Sequence, residues 1–360
     1  MATPDPNLQD LAVRGQVYLE RLKAGLSKST SETLSELGTV IVDIVKALDV
    51  ENLAELNRGQ LKSLLGEVRT AQTEVMMKAL DEIIAQMPDV GDHAASFEVS
   101  SLDSVLAGQA TVTGLEVGAA YRAALKEPIA ATGELLNSFL KNWSEKEVTA
   151  VSNLISQGYA NGWTNAQMIQ AVRGTKKAGY TDGILARMDR NANAVVHTAV
   201  QHVASESRFA VWDANRDIVK GYRLIATLDG RTTVICRSLD RSRVFLVNQG
   251  PRPPLHIKCR TTTIAVLAPK FDYLEEGAMR SSETGPVSAK DTYYDWLKTQ
   301  PVNFQNDALG PMRGKLFREG GLSTEEFARL NLGSNFQPLT LKEMKALAPN
   351  AFEKAGVLKN

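Results

Sequence analysis

The sequence is poor in cysteine, with two residues in a chain of 360. That count excludes a disulfide-stapled secreted scaffold. It suits a reducing compartment, where a close cysteine pair reads as a metal site or as two unrelated thiols. Long apolar runs are also missing. The best, residues 39–45, is broken by Asp43 and falls far short of the ~20 residues a membrane span requires, so no membrane partner is expected. The first six residues carry neither a basic region nor an apolar core; the expectation is no secretory signal and a cytoplasmic start. Aromatic residues make up only 6%, which leaves little for stacking on bases. A glycine-rich phosphate loop, a His-Glu-x-x-His zinc helix and a Gly-x-Ser-x-Gly elbow are all absent from the sequence, and with them the commonest nucleotide, metalloprotease and hydrolase signatures.

The net charge is zero, but unevenly spread. Residues 1–100 hold nine Lys and Arg against sixteen Asp and Glu, whereas residues 216–270 hold eleven basic residues against Asp217, Asp229 and Asp240. Such asymmetry points to different partners for the two parts.

What is present reads mostly as helix. Leu61, Leu64, Leu65, Val68, Val75, Met76, Leu80, Ile83 and Ile84 follow a 3.6-residue period that Pro88 is expected to stop. A second helix is expected over 29–48, started by a Ser29/Glu32 capping box. The same box recurs at Ser144/Glu147, Thr164/Gln167, Ser323/Glu326 and Thr340/Glu343. The period weakens over 88–118, which predicts a flexible connection. Further helices are expected over 135–143, 144–160, 164–173 and 183–212. From residue 221 the pattern turns to strands at 222–228, 243–247 and 261–267, the last two separated by a proline-rich loop at 250–254. Short helices resume from 291. The expectation is an α+β chain, mostly α, with a helical region over 1–120. Helices leading into a small antiparallel β module follow over 121–290, then a helical tail over 291–360.

Both cysteines lie in the β-rich stretch: Cys236, and Cys259 with His256 three residues before it. Thiolate and imidazole suit tetrahedral zinc, with His197, His202, Asp229 or water as fourth ligand. The alternatives are two packed thiols beneath the sheet with His256 bonded to Asp229, a disulfide, and a Cys–His–Asp nucleophilic group. Six arginines, Arg231, Arg237, Arg241, Arg243, Arg252 and Arg260, crowd the same stretch. They suit contact with phosphates of double-stranded DNA without sequence readout; the opposing expectation is pairing with Asp229, Asp240 or the acidic N-terminal part.

The order of these residues is itself informative. Thr227, Leu228, Asp229, Gly230, Arg231 and Thr232, then Cys236, then Leu239 and Asp240, then Pro253, Pro254, His256, Cys259 and Arg260 resemble the motifs of the phage Mu F-like family of minor head proteins. The resemblance covers roughly 130–270 and departs at Arg241, where the family commonly has Gly. The region around Trp296, Phe304 and Phe327 looks like an extension found in many phage members, while the first 120 residues match nothing. The resemblance implies a structural virion protein without catalytic activity. Its place would be the capsid interior or the portal vicinity, after assembly in the host cytoplasm. Its partners would be the portal protein, the major capsid or scaffolding protein and packaged DNA. The competing expectation is a metal-dependent hydrolase or toxin built on Cys236, His256 and Cys259.

Overall fold

An apolar stripe through Ala12, Leu19, Leu26, Leu34, Leu37, Ile41 and Val45 winds the first segment into one 39-residue helix, α1 (Leu8–Lys46), capped by the Asn7 side chain. The computed structural model describes residues 7–271 and 279–357; over these the chain is α+β and mostly α, as the patterning predicts. Ser29 does not start a helix. It lies in mid-α1, because the buried stripe continues on its N-terminal side and outweighs a local cap worth about 1 kcal/mol.

Pro88 likewise fails to stop its helix. α2 (Arg58–Leu106) runs through it, burying Val90, Ala94, Leu102 and Leu106 beyond the proline. A proline in a helix interior costs about 3 kcal/mol, and burying two such apolar side chains more than offsets that. The expected connection therefore shrinks to residues 107–118, followed by α3 (Ala119–Ala124). α4 (Leu136–Ala160) replaces the two helices expected over 135–160. Glu147, expected to close a capping box with Ser144, is instead a buried mid-helix residue that accepts from Asn191 at 2.7 Å. α5 (Asn165–Arg173) does begin at the expected Thr164/Gln167 box.

α6 (Ile184–Ala214) is the central helix. Its first half shares one core with α1, α2, α4 and α5, through Leu37, Ile41, Met76, Ile83, Leu140, Ile155, Met168, Val196 and Val200. Gln16 and Lys23 on α1 both donate to the side-chain oxygen of Gln201 on α6, at 3.0 and 2.6 Å. The second half of α6 carries the β module. Phe209 and Trp212 pack against Tyr222 of β1 (Val219–Ile225), with Phe209 edge-on to Tyr222 at 4.8 Å between ring centres. β1 pairs antiparallel with β2 (Thr262–Leu267). The third strand expected over 243–247 does not form: Phe245 alone bridges Tyr222 by two backbone hydrogen bonds, at 2.8 and 2.9 Å. Between β1 and that bridge lies a short helix, α7 (Val234–Leu239). A hairpin of β3 (Met279–Ser282) and β4 (Gly285–Ser288) follows β2.

Six short helices complete the chain: α8 (Tyr293–Lys298), α9 (Val302–Leu309), α10 (Pro311–Glu319), α11 (Thr324–Leu330), α12 (Leu341–Leu347) and α13 (Pro349–Ala355). The boxes at Ser323/Glu326 and Thr340/Glu343 form as expected. Their core is aromatic, with Tyr293, Tyr294, Trp296, Phe317, Phe327 and Phe352 around Leu228. Tyr293 donates to the Asp229 carbonyl at 2.9 Å and Arg237 to the Ala308 carbonyl at 2.6 Å, which fixes this layer onto the module.

Candidate metal centre

The turn after β1 is built by Asp229. Its Oδ1 accepts from the Arg231 N–H at 3.1 Å and the Thr232 hydroxyl at 3.0 Å, an arrangement that lets a short carboxylate stand in for turn backbone. Arg260 closes it with two parallel bonds to Asp229, at 2.6 and 3.0 Å, the strong bidentate form. Burial would raise the Asp229 carboxyl, but these bonds prevail and hold it below the usual carboxylate range. The chain then enters α7, which carries Cys236 into the interior at 2% exposure.

The second arm arrives from the proline loop, where Pro253–Pro254 is cis. Cys259 N–H donates to the His256 carbonyl at 3.2 Å, and Lys258 takes a left-handed φ of 59° while its N–H donates to Thr198 of α6 at 3.1 Å. This tight turn brings His256 and the fully buried Cys259 against Cys236. Cys236 Sγ lies 3.2 Å from His256 Nε2 and 3.7 Å from Cys259 Sγ, and all three ligand atoms fall within 4.8 Å of one another. His256 Nδ1 faces the Ile257 carbonyl at 2.8 Å. A carbonyl only accepts, so Nδ1 carries a proton, and Nε2 is the ring nitrogen turned toward the sulfurs.

Several expectations are corrected by this geometry. The two sulfurs, at 3.7 Å, are free thiols rather than a disulfide, whose bond would be about 2.05 Å. Asp229 belongs to Arg260 and not to His256, so it completes no Cys–His–Asp group. Cys236, on α7, is buried with Ala226 and Cys259, as the packed-thiol alternative expects. Among the described residues no protein side chain fills a fourth position. His197 leans toward Glu20, with burial and then Lys23 pushing its imidazole down to about 4. His202 is bonded to the Ala124 carbonyl at 3.0 Å.

Electrostatics divide the pair of thiols. Burial works against ionising Cys259, yet its hydrogen bonds with Cys236 and His256 outweigh it and hold that thiol well below the ordinary range. Cys236 is pushed well above it by its bond with Cys259 and by burial.

The arginines scatter. Arg260 and Arg237 are taken by Asp229 and Ala308. Arg252 pairs with buried Glu206 at 2.6 Å and lies 4.3 Å over the Phe209 ring. Arg241 donates to Gln9 on α1 at 2.8 Å, and Arg243 rests on Phe245 and Phe336. Only Arg231 and Arg243 of the six are classed as exposed. The pattern missed Arg280 on β3. Its side chain is 1% exposed and forms two bonds with Asp240, at 2.8 and 3.1 Å; it also donates to the Ala226 carbonyl at 2.6 Å and the Asp291 carbonyl at 2.9 Å. Arg241 takes a φ of 51°, the left-handed conformation that favours glycine.

No family model, curated protein or solved structure matches the chain. Among the described residues, no helix is long and apolar enough to cross a membrane.

Proposed function

We propose that the chain is a structural minor head protein of a bacteriophage, acting in capsid assembly near the portal. Its motif residues hold a small module together. The observation that carries this reading is the interlock of the motif side chains themselves. Asp229 binds Arg260 and Thr232, Asp240 accepts from the Ala226 N–H at 2.7 Å, and Cys236, His256 and Cys259 face one another. The one departure from the motif order supports it too: Arg241 stands in a backbone conformation suited to the Gly that the resembled family has there.

In this reading the portal protein and the major capsid or scaffolding protein are the partners. Packaged double-stranded DNA is a further one, met through exposed arginine. The residence is the capsid interior or portal vicinity, with the host cytoplasm as the place of assembly.

A metal-dependent hydrolase or toxin on Cys236, His256 and Cys259 is the competing reading. It needs a general base beside the metal, and among the described residues no carboxylate joins the three ligands. Mass spectrometry of purified virions from the encoding genome tests the proposal: the chain should be present in few copies and should co-purify with the portal protein. Virions free of the chain overturn it.

A further inference from the structure

We infer that Cys236, His256 and Cys259 bind one zinc ion that clasps α7 to the loop leading into β2, its fourth position taken by water or an external donor. Zinc bonds of about 2.3 Å to sulfur place two thiolates of a tetrahedral site about 3.8 Å apart. The sulfurs already lie at that separation, 3.7 Å, and all three ligand atoms fall within 4.8 Å of one another. Each arm is held from outside the cluster. Lys258 N–H on Thr198 fixes the loop to α6, Arg260 next to Cys259 is locked by Asp229, and α7 follows the turn that Asp229 builds. Around the ligands sits the outer set that metal sites use. His256 offers Nε2 because Nδ1–H is engaged by the Ile257 carbonyl. Soft sulfur donors with imidazole select zinc over magnesium or calcium. Among the described residues no carboxylate joins the ligands to activate bound water, and we read the ion as structural. It joins residue 236 to residues 256 and 259 across the proline loop, which has little regular structure of its own.

The zinc site does not depend on the head-assembly reading, and its test leaves that reading untouched. The full-length chain, purified under reducing conditions without chelator, is assayed for metal and then reconstituted with cobalt(II) alone. We expect one zinc per chain, strong visible bands of tetrahedral cobalt and a sulfur-to-cobalt charge-transfer band. That band should fall to about half in Cys236→Ser and in Cys259→Ser, since each removes one of two thiolates. Zinc affinity in His256→Gln should fall by at least ~100-fold, the upper end for losing a mere outer-shell partner. Chelation should lower the melting temperature of the wild-type chain, because metal-binding energy is folding energy. Weak six-coordinate cobalt bands in the wild type, or metal well below one per chain after reconstitution, overturn the inference even where the variants do not fold. Wild-type zinc affinity retained in folded Cys259→Ser overturns it as well.

Discussion

Replacing Arg280 by Met should destabilise the β module more than any surface change, and the structure sets the scale. The substitution removes two bonds to Asp240 and one each to the Ala226 and Asp291 carbonyls. It leaves the Asp240 carboxylate, 0% exposed, with the Ala226 N–H still donating to it. Removing one member of a buried ion pair costs about 3–5 kcal/mol, chiefly because the surviving charge has no compensation. Adding Asp240→Asn removes that charge while keeping an oxygen for the Ala226 N–H, so Arg280→Met/Asp240→Asn should recover about 1–3 kcal/mol relative to additivity. Pulse proteolysis across a urea series, read at fragments spanning 219–288, gives the opening free energy of each variant. A single-variant loss under about 1 kcal/mol, or strict additivity in the double, would refute the claim that this pair behaves as a desolvated unit.

Glu206 should make stability depend on pH. Burial, only partly countered by Arg252, raises its carboxyl to about 7, above an unfolded value of about 4.3. The folded state therefore holds the extra proton between these values, and about 4 kcal/mol present below pH 4 is lost as pH rises through 7. Glu206→Gln should flatten that decline in unfolding titrations at pH 5 and 8, and an unchanged slope would contradict it. Pro88→Ala should raise stability by about 1–3 kcal/mol, since the helix already continues through the ring; a lower melting temperature would count against this. At position 241, Gly should be more stable than Ala by about 1 kcal/mol, because both lose the Gln9 bond but only Ala keeps the left-handed strain; equal midpoints would show that no strain is stored there. DNA contact through the two exposed arginines, Arg231 and Arg243, should give a log–log salt slope of about −2. A slope near −4 in gel-shift titrations would mean that internal pairs such as Arg252–Glu206 open on binding.

The helical character, the β module and the convergence of Cys236, His256 and Cys259 were legible from pattern and spacing. Helix ends were less so, for one physical reason. Ser29 and Ser144 have the local chemistry of caps, and Pro88 that of a breaker, but each lies within a stripe whose burial exceeds what a cap or a proline is worth. The boxes that formed, at Thr164, Ser323 and Thr340, follow glycine-, proline- or turn-rich connections where no stripe competes. Asn57 and Gln60 do cap α2, with an amide oxygen in the place of the Ser or Thr hydroxyl of the usual box. The arginines misled because charge counted along a chain says nothing of direction. Arg252 and Glu206 are 46 residues apart and Arg280 and Asp240 are 40 apart, so neither pair has a local signature.

The bond from Gln16 to Gln201 spans 185 residues and that from Arg241 to Gln9 spans 232. On a ribosome adding ~5–20 residues per second, the first interval alone lasts roughly 10–40 s. Through that time α1 can pair with α2, whose Glu82 accepts from Thr33 at 2.9 Å, but it has no α6 to cover Gln16 and Lys23. A nascent chain stalled before residue 201 therefore displays a helical hairpin with an open polar seam, and the first helix reaches its native setting only as the β module is made.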